Sequence, residues 1–228
     1  MPIARGLAIL SLATAAVLEV AIGPYSGKET GETALLRTRL DAFSQGDLLV
    51  ADRYFCSIFL IATLLGRGVQ SCTRMHQKRT VDFRHGRRLG PYDHLVVWTK
   101  PQRPRWMDQA TYDALPETLE LRELRFDVTR PGYRTTQITI ATTLTDPDVY
   151  TKDDIAELYG FRWNAELDIR AIKQNLNFSS SKFGKEISMI VRPSMRMTCV
   201  ITDQTQGGGP CVQGRLAFCP VMSCNRGC

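Results

Sequence analysis

The chain is 228 residues long, with 43% hydrophobic residues and a formal net charge of +6. Those values support one packed domain, or one domain with an insertion, and exclude a chain that is unfolded throughout. No run is long and apolar enough to span a membrane, and seven cysteines without a CxxC pair point to neither a zinc ribbon nor a regular disulfide framework.

The positive charge is uneven. Residues 177–228 hold six Lys and Arg against two acids, so they supply +4 of the total. Global charge is therefore a weak argument for an acidic partner such as DNA, and local patches must carry it.

In chain order, residues 3–22 are rich in Ile, Leu, Val and Ala, with a polar break from Ser11 to Thr14. They predict a hairpin, or a bent pair of buried strands, stopped by Gly23-Pro24. Arg5 followed by the apolar run from Leu7 to Leu18 also resembles a secretion signal. Only one basic residue precedes that run, however, and no clear cleavage site follows it. Residues 29–43 predict a helix, with Leu35, Leu36, Leu40 and Phe43 at helical spacing and Gly46 as its stop. Between Asp47 and Asp52 lie four apolar residues, the pattern of a short strand buried on both faces. A second helix is expected over 54–66, closed by Gly66 and Gly68.

From 69 to 145 short β-like runs appear, from Leu95 to Trp98, Leu119 to Val128 and Gln137 to Leu144. Pro, Gly and Arg separate them, as in an antiparallel β-rich insertion. A long helix is expected from 151 to about 176, opened by a capping box of Thr151 and Asp154. After Leu176 the acids thin out, periodicity fades, and Gly207-Gly208-Gly209-Pro210 and five cysteines follow. That segment, 177–228, is expected to be a disordered tail, or sequence read out of frame.

The long helix carries the strongest chemical signal. At about 100° per residue, Tyr159, Arg162, Glu166 and Lys173 fall within an arc of about 60°. One carboxylate flanked by two cations and a phenol suits metal binding with phosphates held alongside. An ordinary i, i+4 salt bridge between Arg162 and Glu166 explains part of the same face. Asp52, at the end of the buried strand and followed by Arg53, is placed where ligands of a sheet commonly sit; it is equally placed to cap the next helix. A third signal runs from Arg74 to Arg105, where nine Lys and Arg face two Asp, with Phe83, Tyr92 and Trp98 interleaved. Basic residues with interleaved aromatics suit a surface that tracks phosphates and stacks on bases; a solvated basic loop and a packed Trp98 are the plainer readings. Arg84, Arg87 and Arg88 are the centre of this patch.

Val50-Ala51-Asp52-Arg53-Tyr54 resembles the second-aspartate motif of the DDE transposases of the insertion-sequence-four type. Tyr159, Arg162, Glu166 and Lys173 match that family's Tyr-Arg-Glu-Lys motif at every spacing, and the resemblance covers about residues 2–176. It implies an α/β fold: a partial RNase H-like catalytic core over 1–68, a β-rich insertion over 69–145, and a catalytic-core helix over 146–176. It implies phosphodiester cleavage and strand transfer with two Mg²⁺ or Mn²⁺ ions, held in this chain by Asp52 and Glu166. Tyr159, Arg162, Lys173 and Arg53 would handle phosphates, and Trp98 would stack on a flipped base. The implied partners are double-stranded DNA at transposon ends and a second copy of the chain, with no membrane. The implied location is the bacterial cytoplasm, at the nucleoid.

One departure bears on activity. The family's first aspartate lies on the first strand of the core, and Glu19, Glu29, Glu32, Asp41 and Asp47 do not match its position. The first strand is thus expected to be missing, the metal site incomplete and cleavage crippled. A non-enzymatic DNA-binding protein, or a dominant-negative regulator of transposition, is the alternative.

Overall fold

A computed structural model gives the fold and describes residues 4–12, 14, 16–24, 26–128, 136–162, 190–191 and 197–201. The chain opens with a hairpin of β1 (Ala4–Ser11) and β2 (Val17–Pro24), antiparallel as expected. Only one face of β2 is covered, however. Leu18, Val20 and Ile22 are exposed while Ala21 between them is buried, so the hairpin is not a pair of fully buried strands. The helix expected over 29–43 is shorter. It forms as α1 (Glu32–Arg37), breaks at Thr38 and Arg39, and resumes as one 3-10 turn over Leu40–Ala42. The break still buries Leu36, Leu40 and Phe43, because each half turns its own apolar residues inward.

β3 (Leu48–Ala51) is buried at every residue, as its unbroken apolar run requires. A 3-10 turn over Arg53–Phe55 leads to α2 (Ile58–Gly66). This helix is apolar all round, so it cannot lie on a surface. Leu60 and Leu64 enter one hydrophobic cluster, and Ile58, Phe59, Ile61 and Ala62 enter a second. β4 (Gln70–Arg74) then runs parallel to β3, with Ala51 opposite Thr73. The parallel part of the sheet thus extends past residue 68.

The β-rich stretch contains β5 (Arg87–Gly90), β6 (Asp93–Thr99), β7 (Thr118–Val128) and β8 (Thr136–Thr142), antiparallel to one another in sequence order, with α3 (Gln109–Ala114) between β6 and β7. These strands are not a separate sheet. β8 pairs antiparallel with β4, which joins them to the rest. Two further strands follow, β9 (Ile190–Val191) and β10 (Met197–Ile201), both within the segment expected to be irregular. Among the described residues the order is β2-β1-β10-β3-β4-β8-β7-β6-β5. β10 lies antiparallel to β1 and parallel to β3, at the centre of the sheet's first half. The chain is thus mixed α/β, as expected. Its two hydrophobic clusters are divided by the sheet: in β8, Ile138 and Ile140 join the first and Ala141 the second.

The last described helix, α4 (152–162), begins where the capping box placed it. Thr151 N–H and Oγ1 both donate to Asp154 Oδ2, at 2.9 and 2.6 Å, and Asp154 N–H donates back to Thr151 Oγ1 at 3.2 Å. Thr151→Ala is expected to cost about 1 kcal/mol, read by urea denaturation. The same bonds hold the Asp154 carboxyl below its ordinary value of 3.8. A folded value below the unfolded one makes the contribution complete above that ordinary value and lost as pH falls through the folded value. The gap between parent and variant should therefore close on acidification, not on raising the pH.

Candidate active site

The carboxyl ends of β3 and β4 form the site's floor. In parallel sheets the strands' carboxyl ends are where ligands gather. Asp52 follows β3 directly and is half-buried. It precedes the 3-10 turn but makes no side-chain cap bond to it, so capping does not explain an aspartate here. Its Oδ1 is buried and has no hydrogen-bond partner among the described residues, while Oδ2 lies 4.0 Å from Arg53 Nε. Arg53 in turn donates to Gln77 Oε1 at 2.7 Å, which tethers it beside the aspartate.

Helix α4 brings Tyr159 and Arg162 over this floor. Tyr159 is 0% exposed and belongs to the same hydrophobic cluster as Ile155 and β3. Burial pushes its phenol well above the ordinary tyrosine value; Asp52 adds to the rise, and Arg162 and Arg74 oppose it. Asp52, Arg74 and Arg162 thus all lie close enough to Tyr159 to act on its phenol. Arg162 is itself buried, with its guanidinium carbon 5.1 Å from the Tyr159 ring centre. A buried phenol cannot reach an incoming phosphate directly, but it can hold Arg162 and shape the wall beside Asp52. Glu166 and Lys173, the rest of the motif face, lie outside the described residues.

A hard divalent cation prefers carboxylate oxygens, and the buried, unpartnered Oδ1 of Asp52 fits that need. Among the described residues no group of three or more His, Cys, Asp and Glu gathers there or elsewhere. Cys72 lies on β4 beneath the site. Burial pushes its thiol up to about 12, which leaves it a packing residue and not a nucleophile.

The basic stretch divides. Arg84 grips Asp82 with two bonds, at 2.8 and 2.6 Å, and holds that carboxyl well below the usual range. Arg87 and Arg88 are exposed on β5, at the sheet edge. Lys100 is buried; it pairs with Glu117 at 2.7 Å and donates to the Tyr112 and Leu115 carbonyls. Arg103 donates to the Met107 carbonyl. Arg79 stacks over Trp98, 3.7 Å from the ring centre. Trp98 itself is buried, and its Nε1–H donates to Glu123 at 2.7 Å. Glu123 also pairs with His94 at 3.0 Å. In this conformation the Trp98 ring is not open to a base. Sequence reasoning gave no weight to Asp93, Arg122 and Glu123, whose pairing depends on strands brought together from a distance.

Among the described residues no helix is long and apolar enough to cross a membrane. No curated protein matches the chain, and no solved structure matches it. The family described as Transposase DDE domain matches residues 6–189, from within β1 to beyond the described part of α4. On that match, which covers most of the chain and includes Asp52 at the end of β3, the chain belongs to the DDE transposase family.

Proposed function

We propose that this chain carries part of the catalytic core of a DDE transposase of the insertion-sequence-four type, acting on DNA phosphodiester bonds at transposon ends. The observation that carries this reading is Asp52: half-buried, at the carboxyl end of a central parallel strand, with one oxygen unmatched and buried Arg162 and Tyr159 set over the same floor. The RNase H-like reading is supported by the strand pattern, in which β2, β1 and β10 are antiparallel and β3 and β4 run parallel to β10. β10 lies in the position that the first strand of such a sheet takes.

Asp52 would hold a Mg²⁺ or Mn²⁺ ion, with Glu166 as the second carboxylate on the helix that α4 begins. Such an ion supplies activation of the attacking oxygen and stabilisation of the leaving one. The chain's own groups hold the DNA strand. Arg53 offsets phosphate charge beside Asp52, buried Arg162 adds positive charge behind the same floor, Tyr159 packs against Arg162, and Lys173 extends the cationic face. Pairing of two copies on two DNA ends belongs to the same reading.

Cleavage by this chain should be weak. The other carboxylates ahead of Asp52 are engaged elsewhere: Glu19 with Arg39, Glu29 with Arg37, Asp41 with Arg67 and Asp47 with the Ser44 N–H, while Glu32 is buried in α1. Exposed Arg87 and Arg88 favour retained DNA binding, so a non-enzymatic regulator of transposition is the second reading. Mn²⁺ binding, followed by electron paramagnetic resonance, tests the first. Asp52→Asn should weaken it by about tenfold or more, since even outer ligand partners are worth that much. Undiminished binding would remove Asp52 from the site. Strong plasmid nicking that depends on Glu166 would overturn the expectation of weak cleavage.

A further inference from the structure

Asp52 and Arg53 lie close together without being joined. Arg53 Nε stands 4.0 Å from Asp52 Oδ2, beyond the reach of a hydrogen bond. Asp52 Oδ1 and Arg53 Nε are both buried, and neither makes a hydrogen bond among the described residues. A free donor and a free acceptor of opposite charge tend to close such a gap, because a charge-assisted bond is stronger than a neutral one. The guanidinium must therefore be held back.

Gln77 is placed to hold it. Its Oε1 accepts from Arg53 Nη1 at 2.7 Å. The two residues meet because β3 and β4 run parallel with Ala51 opposite Thr73, so the segments leaving both strands emerge at the same end of the sheet. Both backbones are pinned there. Arg53 opens the 3-10 turn, where the Phe55 N–H donates to the Asp52 carbonyl at 3.0 Å and the Cys56 N–H to the Arg53 carbonyl at 3.3 Å. Gln77 lies in a turn closed by the Arg79 N–H on the His76 carbonyl at 2.9 Å. Cys56 Sγ and Met75 Sδ, which flank the two turns, are 4.0 Å apart and pack them together.

The chemistry of the holding group matters. An amide oxygen accepts from a guanidinium but carries no charge. An Asp or Glu at this position would neutralise Arg53, whereas Gln leaves its full charge for a phosphate. Without the amide, Arg53 is free to close on Asp52 and occupy the carboxylate that a divalent cation needs.

We propose that Gln77 is a positioning residue for the metal site: it holds the Arg53 guanidinium off Asp52 and so keeps the carboxylate open to the ion. Resting on the reading of Asp52 as a metal ligand, this names the group that sets how strongly that ligand binds. Arg53 opposes the ion by its charge, and Gln77 limits the opposition by fixing where that charge stands.

Mn²⁺ binding to the full chain, followed by electron paramagnetic resonance, tests this with changes of opposite sign. Gln77→Met keeps the length of the side chain and removes the acceptor. It should weaken Mn²⁺ binding by about threefold, since one hydrogen bond no longer restrains Arg53. Arg53→Ala should strengthen binding by about threefold or more, because a positive charge beside the ion is gone. Gln77→Met added to Arg53→Ala should then change nothing further. Gln77 is exposed and Arg53 half-buried, so the melting temperatures should stay near the parent's. A variant that melts early is replaced by Gln77→Leu or Arg53→Gln, with the same signs expected. Unchanged binding in Gln77→Met, an equal loss when Arg53 is absent, or weaker binding in Arg53→Ala would overturn the positioning role while Asp52→Asn still loses Mn²⁺. Equal binding by the parent and Asp52→Asn would instead overturn Asp52 as a ligand, and the role of Gln77 with it.

Discussion

Arg122→Met is expected to destabilise the folded chain by about 3–5 kcal/mol, the cost of leaving a buried charge without its partner. The Arg122 side chain is 1% exposed and that of Asp93 5%. Two nearly parallel hydrogen bonds join them across β6 and β7, and a third reaches the Tyr150 carbonyl. Removing the guanidinium strands the Asp93 carboxylate in the protein interior and leaves the Tyr150 carbonyl short of a donor. The pair itself is not thereby worth that much, since bringing both charges out of water already costs several kcal/mol. Arg122→Met combined with Asp93→Leu should therefore recover most of the loss, because no buried charge then remains. Urea denaturation of the two single variants and the double variant reads the difference. A loss below about 1 kcal/mol for Arg122→Met would mean that the pair is hydrated in solution. The consequence reaches function, for this pair fastens β6 and β7 to the start of α4.

The second large effect is expected at Tyr159. Its ring fills the space between α4 and the carboxyl ends of β3 and β4, fully buried among the residues of the larger cluster. Tyr159→Ala should cost about 3–5 kcal/mol, the range for truncating a buried aromatic ring. Tyr159→Phe keeps the ring and should cost far less, about 1 kcal/mol. If the ring is a wall for Arg162, the Phe variant keeps parental DNA affinity and the Ala variant loses it together with stability. A Phe variant that folds normally but binds DNA many times more weakly would instead assign the hydroxyl a direct phosphate contact. Urea denaturation and DNA binding, measured on the same preparations, separate the two outcomes.

Several parts of this molecule were legible in the amino-acid order because short-range physics decides them. The apolar run from Leu48 to Ala51 could only be a buried strand. Thr151 and Asp154 close a capping box within one turn. The spacing of Tyr159 and Arg162 sets them on one helix face whatever the rest of the chain does. The position of Asp52 at a strand end follows from the same run. Other features needed partners from far along the chain. Trp98 finds Glu123 25 residues away, and Arg122 finds Asp93 29 residues away, so neither burial could be read from its neighbours. Lys100 counted as surface charge in the sequence yet lies buried against Glu117.

The sequence by itself determined the strand that ends at Asp52 and the start of the helix that bears Tyr159 and Arg162, since helix caps, apolar runs and turn residues act over a few positions. Only the tertiary structure decided which of the basic and aromatic residues remain on the surface. It set β10 between β1 and β3, drew Lys100 and Trp98 into packed contacts, laid exposed Arg79 over the Trp98 ring, and left Tyr92 standing out. The physical reason is that burying a charge or an indole N–H requires a complementary group from far along the chain, supplied for Trp98 by the pairing of β6 and β7 and for Lys100 by α3 and the loop that follows it.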